Sequence, residues 1–362
     1  MKSKRLLFLM MALLLITFCL SLTVGSYSLS LSEIGCLFVG QSNDVIAQQV
    51  FFHLRIPRIV MGVLAGLVLG VAGGVYQFIF RNPLASPDLT GVASGASFGA
   101  ALMIVVGMNS AIEMMFGAFV MGIVSLFFVM FLVKITGVQR ATTYILAGIV
   151  ISALADAGIM IFKYMADPIS ELATIEFWTM GSLASMTLSK MVIALMSIVI
   201  PLAFILLCRR QIVMLSLGDE NARYLGLNAS LLRMIVLLLT TWMVASIVSI
   251  TGVISFVGLI APHIAYLILH KRTEHFLLMS GCIGALIVIV GDMLSRSLVS
   301  GAELPLSILT IFFAIIALGA NAQSPISFQV KAGVGTSNFY GENVESDTRI
   351  AYKVGVGMNY EL

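Results

Sequence analysis

The sequence predicts an all-α polytopic membrane protein of about ten transmembrane helices, and its composition leads to that prediction. Only 10% of the 362 residues are charged and 60% are hydrophobic, whereas soluble domains carry about 25% charged residues. The apolar residues form successive runs, and a helix needs about 20 such residues to cross a bilayer core. Only short polar breaks separate the runs.

The candidate spans are the apolar runs between charged or Pro/Gly breaks. The first follows MKSKR, is longer than the apolar region of a secretory signal peptide and ends without a small-x-small cleavage site, so we expect a retained helix. The last run is short. The predicted spans are 6–24, 59–79, 91–108, 112–133, 141–162, 189–207, 231–250, 253–269, 276–295 and 306–320.

The basic residues predict the orientation. With the N-terminus in the cytoplasm, twelve of the basic residues around the spans fall inside and five fall outside. This asymmetry is the one that the positive-inside rule describes. The five outside residues are Arg55, Arg58, Lys163, Lys190 and Arg296.

Small residues crowd two of the predicted spans, in GVLAGLVLGVAGG (62–74) and GVASGASFGA (91–100). Glycines spaced four apart let helix backbones approach closely, and membrane helices associate through such contacts. We therefore interpret most of these glycines as packing positions rather than as the lining of a pathway.

The chain changes character from Ser324 onward, where it becomes polar. RIAYKVGVGMNYEL (349–362) alternates at period two, as a strand does, and FFAIIALGANAQS (312–324) resembles the end of a signal peptide. We divide the chain into a transmembrane domain, 1–320, and a polar β-like tail, 321–362. Our interpretation of the tail is a gene fusion with the start of an exported β-barrel protein; an appended soluble hairpin is the alternative.

The sequence offers no enzyme site. It contains no G-x-x-x-x-G-K-[ST] phosphate loop, so ATP hydrolysis would have to come from another subunit. Its four cysteines suggest neither a disulfide framework nor a metal cluster. We predict no catalytic residue, no metal and no cofactor.

Two acidic residues lie within predicted spans, where acids are functional by default. Asp156, in ISALADAGIM, has no charged neighbour in its own helix. It is a candidate proton relay, and a polar contact to another helix is the alternative. Asp292 is followed one helical turn later by Arg296, a spacing at which opposite charges can meet.

LSLGDENARYLGLN (215–228) is a polar island inside the cytoplasmic loop 208–230 of the predicted topology. We expect Asp219 as the N-cap of a short helix and Gly226 as its C-terminal stop. Seven residues give about 10 Å of helix, which is too short to cross a membrane. The side of this helix opposite its apolar residues is available to a partner. A capped helix that only rests on the membrane is the alternative. Its predicted apolar side consists of Leu217, Ala222, Leu225 and Leu227.

RIPR (55–58) places two arginines outside, just before a span. Pro57 stiffens the backbone there. A rigid basic pair suits bidentate capture of carboxylates, and lipid phosphate is the alternative ligand.

Together these features resemble the FecCD-type family, the permease subunits of binding-protein-dependent ABC importers for iron-siderophores, haem and cobalamin. The resemblance runs from the N-terminus to about Thr310, inside the tenth predicted helix. The motifs that carry it are RIPR (55–58), GVLAGLVLGVAGGVYQFIFRNPLASPDLTGVASGASFGA (62–100), ILAGI (145–149), WTMGSL (178–183), LGDENARYLGLN (217–228), ISFVGLIAPHIAYL (254–267) and GDMLSR through ELPLSILT (291–310).

The resemblance implies a homodimer of ten-helix subunits in the bacterial inner membrane, with the pathway at the dimer interface. Two ATPase subunits bind below it, a substrate-binding protein binds above it, and no nucleic acid is involved. The family's coupling helices, which sit in a groove on the ATPase, match Gly218, Asp219, Glu220, Ala222, Arg223 and Gly226. The family's outward arginines, which receive acidic residues of the binding protein, match Arg55, Arg58 and Arg296.

The function that the resemblance implies is import of a metal chelate by alternating access, with no covalent chemistry in the permease itself. A proton-coupled secondary transporter that uses Asp156 is the alternative. The sequence identifies neither the chelate nor the residues that line the pathway.

Overall fold

The computed structural model describes residues 2–25, 27, 29–39, 44–108, 110–137, 141–271, 273–298, 303–319, 326–337 and 349–360. The chain divides into two compact units, Met1–Ile315 and Ile316–Leu362. The first unit holds most of the helices, and the second holds two β-strands.

The helices follow one another along the chain with short connections. A π-helical turn, Val50–Arg55, precedes α4, and a 3₁₀ turn, Pro87–Thr90, precedes α5. The α-helices are α1 Lys2–Thr23, α2 Leu31–Val39, α3 Val45–Gln49, α4 Ile56–Phe80, α5 Val92–Val105, α6 Ala111–Thr136, α7 Ala141–Met165, α8 Glu171–Met180, α9 Leu188–Leu207, α10 Arg209–Leu215, α11 Asp219–Tyr224, α12 Ala229–Thr251, α13 Val257–Leu269, α14 Phe276–Ser297 and α15 Leu306–Gly319.

The multi-pass character predicted from the apolar runs is confirmed. Within the described residues, seven helical segments are long and apolar enough to cross a membrane; they contain α1, α4, α6, α7, α9, α12 and α14. Three shorter apolar helices, α5, α13 and α15, occupy the remaining predicted runs. The number of crossings stays a prediction. The short helices α2, α3, α8 and α10 were not predicted.

α4 is the central helix of the first unit, and most of its side chains are buried. Two glycines of its small-residue motif contact the backbone of α14: Gly66 lies against Gly284, and Gly70 lies against Ser280. A methyl group on either glycine would come within 2.2 Å of the facing carbonyl oxygen. The predicted packing role of these glycines is therefore confirmed at this contact.

We expect Gly70→Ala to lower the free energy of unfolding by about 1–3 kcal/mol, because the two backbones must separate to admit the methyl group. Thermal melting of the purified protein in detergent measures the effect. Gly35→Ala is the matched control, since a methyl group there meets no atom within 4 Å. Equal melting of Gly70→Ala and the wild type would contradict the close contact.

α5 and α13 are short because non-helical segments precede them inside the bundle. Gly258, at the start of α13, lies against Gly73, seven residues or about 10 Å before the end of α4. The segment that follows Arg81 meets the start of α13, where the backbone N–H of Phe256 donates to the Asp88 carboxylate at 3.2 Å. Non-helical backbone at membrane depth is tolerated where protein or a cavity surrounds it.

The second unit contains β1 Ile326–Ser337 and β2 Arg349–Tyr360. They pair antiparallel, with Ile326 opposite Tyr360 and Ser337 opposite Arg349. β2 lies in the segment where the sequence alternates at period two. The origin of this tail by gene fusion stays a prediction.

Candidate functional site

The two ends of α4 define the two ends of the transmembrane unit. Arg58 lies in the first turn of α4, and Arg81 follows its last residue. A side chain at Gly218, next to α11, would meet the Arg81 guanidinium at 3.5 Å. We call the end with Arg81 and α11 the α11 end, and the opposite end the Arg58 end.

The polar island forms the short helix α11, but its N-cap lies one residue before the predicted cap, Asp219. The carbonyl of Gly218 accepts a hydrogen bond from the N–H of Ala222 at 2.9 Å, so Gly218 is the N-cap and Asp219 is the first helical residue. Gly218 has a φ of +108°. Glycine adopts this conformation readily, whereas residues with a Cβ rarely do, and this explains why the cap is Gly218.

The predicted C-terminal stop at Gly226 is confirmed. Gly226 has a φ of +80°, and the N–H of Leu227 donates to the carbonyl of Ala222 at 3.0 Å. This is the Schellman arrangement, in which glycine takes the left-handed position after a helix. α11 is therefore a complete, separately terminated element.

α11 presents one side to the bundle and another to its surroundings. Ala222 is fully buried and Leu227 packs against the core, so Ala222 anchors the helix rather than facing a partner. Tyr224 is 89% exposed, and Leu217 and Leu225 are also exposed. Of the four residues predicted to form the apolar side, Ala222 and Leu227 therefore face the bundle, whereas Leu217 and Leu225 are exposed. An exposed apolar patch of this kind marks an interaction surface.

Besides Ala222, the family resemblance implied five residues around α11 as partner contacts, and the structure describes two of them fully. Gly218 and Gly226 shape the two ends of α11. The side chains of Asp219, Glu220 and Arg223 lie outside the described part of the structure, so their contacts stay a prediction.

An ion pair holds the chain that leads into α11. Arg210, on α10, pairs with Glu274, just before α14, at 2.5 Å. The hydrogen bond from Arg210 lowers the pKa of the Glu274 carboxyl. The pair ties α10 to the start of α14, and α10 leads directly into α11.

Arg58 belongs to an ion network at the opposite end. Its Nε donates to Asp292 at 2.9 Å, and its two terminal nitrogens donate to the two carboxylate oxygens of Glu303 at 2.6 and 2.9 Å. Arg296 pairs with Asp292 at 3.1 Å, as the one-turn spacing predicted. The Asp292 side chain is only 3% exposed, so its charge is buried between two arginines.

The other two arginines are held largely by backbone carbonyls. Arg55 is buried and donates to the carbonyls of Leu22 and Tyr27. Arg296 donates to the carbonyl of Val24 at 2.9 Å. All three predicted docking arginines thus lie at the Arg58 end with their guanidinium groups engaged inside the chain. Their docking role stays a proposal.

A cavity of about 450 Å³, lined by both apolar and polar side chains, lies where the non-helical segments before α5 and α13 approach α7 and α8. Pockets of this size accommodate small ligands. The N-terminal ends of α5 and α13, which carry partial positive charge, both border it. Its polar lining includes Asp88, Ser94, Ser97, Asp156, Lys163 and Thr179.

Asp156 is exposed and lines this cavity. Among the described residues it makes no hydrogen bond or ion pair, so the polar contact to another helix that the sequence left open is absent there. Lys163 is neutralised by Glu176 at 2.7 Å, and Asp88 is held by the N–H of Phe256. Asp156 is therefore the unpaired charged side chain of the described lining, and it lies beside the partial positive charge of the two helix N-termini.

No single stretch of the sequence indicates this cavity, because four separate segments of the chain line it. A local signal was present in SPDLTG (86–91), a polar stretch that interrupts the apolar sequence between two spans. Asp88 in that stretch is the acid that fixes the start of α13.

Comparison with known proteins identifies relatives over most of the chain. The FecCD transport family matches residues 13–320, which extends beyond Thr310. The molybdate import system permease protein MolB of Haemophilus influenzae is 33% identical over 337 residues, which are 91% of this chain and 97% of that protein. The hemin transport system permease protein HmuU of Yersinia pestis is 34% identical over 80% of this chain and 86% of that protein.

The fold also matches a solved structure, described as an inward-facing conformation of an ABC transporter of the metal-chelate type. The TM-score is 0.78 at 32% identity, over 88% of this chain and 99% of the solved chain.

Proposed function

Because this chain belongs to the FecCD transport family, we propose that it conducts a metal chelate across the bacterial inner membrane towards the cytoplasm. It is the membrane-spanning permease subunit of an ABC importer. Separate ATPase subunits drive the transport, and a substrate-binding protein delivers the chelate.

The observation that carries the proposal is α11. It is anchored through Ala222 while Tyr224 and Leu225 project from the bundle, an arrangement that suits docking in a groove of an ATPase. We therefore place the α11 end in the cytoplasm and the Arg58 end outside, which agrees with the orientation that the basic residues predict. Arg55, Arg58 and Arg296 are the proposed contacts to the binding protein.

A mechanical route connects α11 with the cavity. Gly218 lies beside Arg81 at the end of α4, and Gly73 of α4 lies against Gly258 at the start of α13. The start of α13 lines the cavity through Phe256. Movement of α11 when the ATPase subunits close would thus shift the cavity wall between two facing states, each favoured by one partner.

The charged side chains of the cavity lining favour some substrates over others. A small oxyanion such as molybdate, which MolB imports according to its name, would meet Asp88 and Asp156 there, and the lysine of the described lining is already paired. A hydrogen-bond donor or a positively charged group on a chelate would suit the unpaired Asp156 better than an oxyanion does. We propose such a chelate, of the iron-siderophore, haem or cobalamin classes, and a homodimer in which the two cavities face one pathway.

Reconstitution tests the proposal. The chain, the ATPase and the binding protein of its own genome are placed in proteoliposomes with ATP on the ATPase side. Uptake of ferrioxamine, hemin, ferric citrate, cobalamin and molybdate is then compared. We expect ATP-dependent uptake of one chelate and none of molybdate. Uptake of molybdate alone would overturn the proposed substrate class, and uptake without ATP would overturn the ABC mechanism.

Asp156→Asn distinguishes the proposed function from a proton-coupled transporter. We expect uptake by the variant to remain ATP-driven and insensitive to a protonophore, because the driving force enters through α11 and not through protonation of Asp156. Transport is measured with and without a pH gradient. Loss of uptake in the variant, together with uptake by the wild type on a pH gradient alone, would support the proton relay instead.

A further inference from the structure

We propose that Glu303 is an internal stand-in for a docking partner's carboxylate: it occupies Arg58 in the free permease and gives way when the binding protein presents its own acidic side chain. This inference rests on the proposed function, because it requires a protein partner at the Arg58 end. It adds to the proposed docking site a side chain of the permease itself, Glu303, which competes with the binding protein for Arg58.

The geometry divides the Arg58 guanidinium into two edges. The Nε edge binds Asp292, with an N···O distance of 2.9 Å. The terminal edge makes two bonds to Glu303, at 2.6 and 2.9 Å. This second pairing is the bidentate fork by which arginine recognises any carboxylate, so an external carboxylate can make the same two bonds.

The exposures show which edge is available for exchange. The Asp292 side chain is 3% exposed, whereas that of Glu303 is 37% exposed. Asp292 is therefore a fixed internal counter-ion, and Glu303 is the member of the network that solvent and a partner can reach. Loss of Glu303 from the pairing leaves Arg58 with an unneutralised positive edge that faces outward.

Hydrogen bonds hold the backbone that follows Glu303, so exchange requires only rotation of its side chain. Ser295 Oγ donates to the carbonyl of Leu304 at 2.6 Å, and the N–H of Leu306 donates to the carbonyl of Gly181 at 3.2 Å. No opening of the chain is needed for the carboxylate to leave Arg58.

A second cavity provides space for the displaced side chain. It measures about 410 Å³ and is lined by Glu303, Pro305 and residues of α8 that include Phe177 and Met180. Phe177 and Met180 are both exposed, so apolar surface lies directly beside the exchangeable ion pair. A partner can thus combine a carboxylate for Arg58 with apolar contacts on α8.

The other two arginines do not offer this exchange. The Arg55 guanidinium is buried against backbone carbonyls, and Arg296 is bound to Asp292 and to the carbonyl of Val24. Of the three, Arg58 has the solvent-facing counter-ion.

Glu303→Gln tests the inference in the full permease–ATPase complex, held in nanodiscs and titrated with its binding protein. Glutamine is close in size but uncharged, so it cannot hold Arg58 by charge. We expect the Kd for the binding protein to fall by about two- to fivefold, the range that an exposed ion pair allows. The change should shrink at high salt because exposed charges are screened.

Glu176→Gln is the matched control. It removes one negative charge at the same end, from the Lys163–Glu176 pair, without touching Arg58. An unchanged Kd for Glu176→Gln beside a lower Kd for Glu303→Gln supports the exchange.

An unchanged or higher Kd for Glu303→Gln in a complex whose melting temperature equals that of the wild type overturns the inference. An equal fall in Kd for both variants overturns it as well, because general charge would then be the cause. If the wild-type complex itself binds no binding protein, the proposed function fails, and the inference fails with it.

Discussion

We expect ATP-driven uptake to be lost in the double variant Tyr224→Asp, Leu225→Asp. Both side chains project from α11, so the bundle does not need them, whereas a groove on the ATPase would bury them. An aromatic anchor at the centre of an interface contributes about 2 kcal/mol or more, so affinity for the ATPase should fall at least about 30-fold. Copurification of the ATPase and uptake into proteoliposomes measure the loss.

Ser230→Asp is the control for this variant. Ser230 is exposed at the start of α12, close in sequence to α11, and the substitution also adds a negative charge. We expect normal uptake from it. Normal uptake and ATPase binding by the Tyr224–Leu225 variant, at an unchanged melting temperature, would show that α11 is not the coupling element.

The predicted contacts Glu220 and Arg223 give a companion test. We expect Glu220→Lys and Arg223→Glu to uncouple uptake from ATP hydrolysis without loss of folded protein. The measurement is the number of substrate molecules imported per ATP hydrolysed. An unchanged ratio in both variants would remove these two residues from the proposed interface.

The second large effect is expected from Asp292→Ala. Its carboxylate pairs with Arg58 at 2.8 Å and with Arg296 at 3.1 Å, and it is 3% exposed. Removing it leaves two largely buried arginines without their shared counter-ion, and breaking such a buried pair costs about 3–5 kcal/mol of folding free energy. The yield of monodisperse protein and its melting temperature should both fall.

Two variants separate loss of the buried charge from other causes. Asp292→Asn keeps the shape and one hydrogen-bond acceptor, and it should be destabilised less than Asp292→Ala. Glu303→Gln removes a charge from the same network at a partly exposed position and should melt close to the wild type. If Asp292→Ala melts like Glu303→Gln, the buried network does not stabilise the fold as proposed.

Features that depend on neighbouring residues in the chain were predicted well. The apolar runs gave the positions of the transmembrane helices, because hydropathy over a window of residues reflects burial in lipid. The C-terminal stop at Gly226 followed from glycine's access to positive φ. The N-cap was displaced by one residue because Gly218 also adopts positive φ, and the sequence does not show which of two adjacent cap candidates will do so.

Features that depend on the packing of distant helices were not predicted. The family resemblance implied Ala222 as a partner contact, but packing of α11 against the bundle buries it. The cavity beside α7 and α8 also had no single sequence signature, since its acids Asp88 and Asp156 come from segments that the fold brings together.

The sequence by itself determined that this is a multi-pass membrane protein of the FecCD type, with a terminated polar helix between two spans and a charged pair one turn apart on α14. Hydropathy, glycine positions and local charge spacing suffice for the helices and the charged pair, and the ordered sequence motifs suffice for the family resemblance. The tertiary structure decided which carboxylates hold Arg58. Asp292 and Glu303 lie 234 and 245 positions away from it. They meet it because Gly66 and Gly70 let the backbones of α4 and α14 touch, and the register of that contact comes from packing in three dimensions.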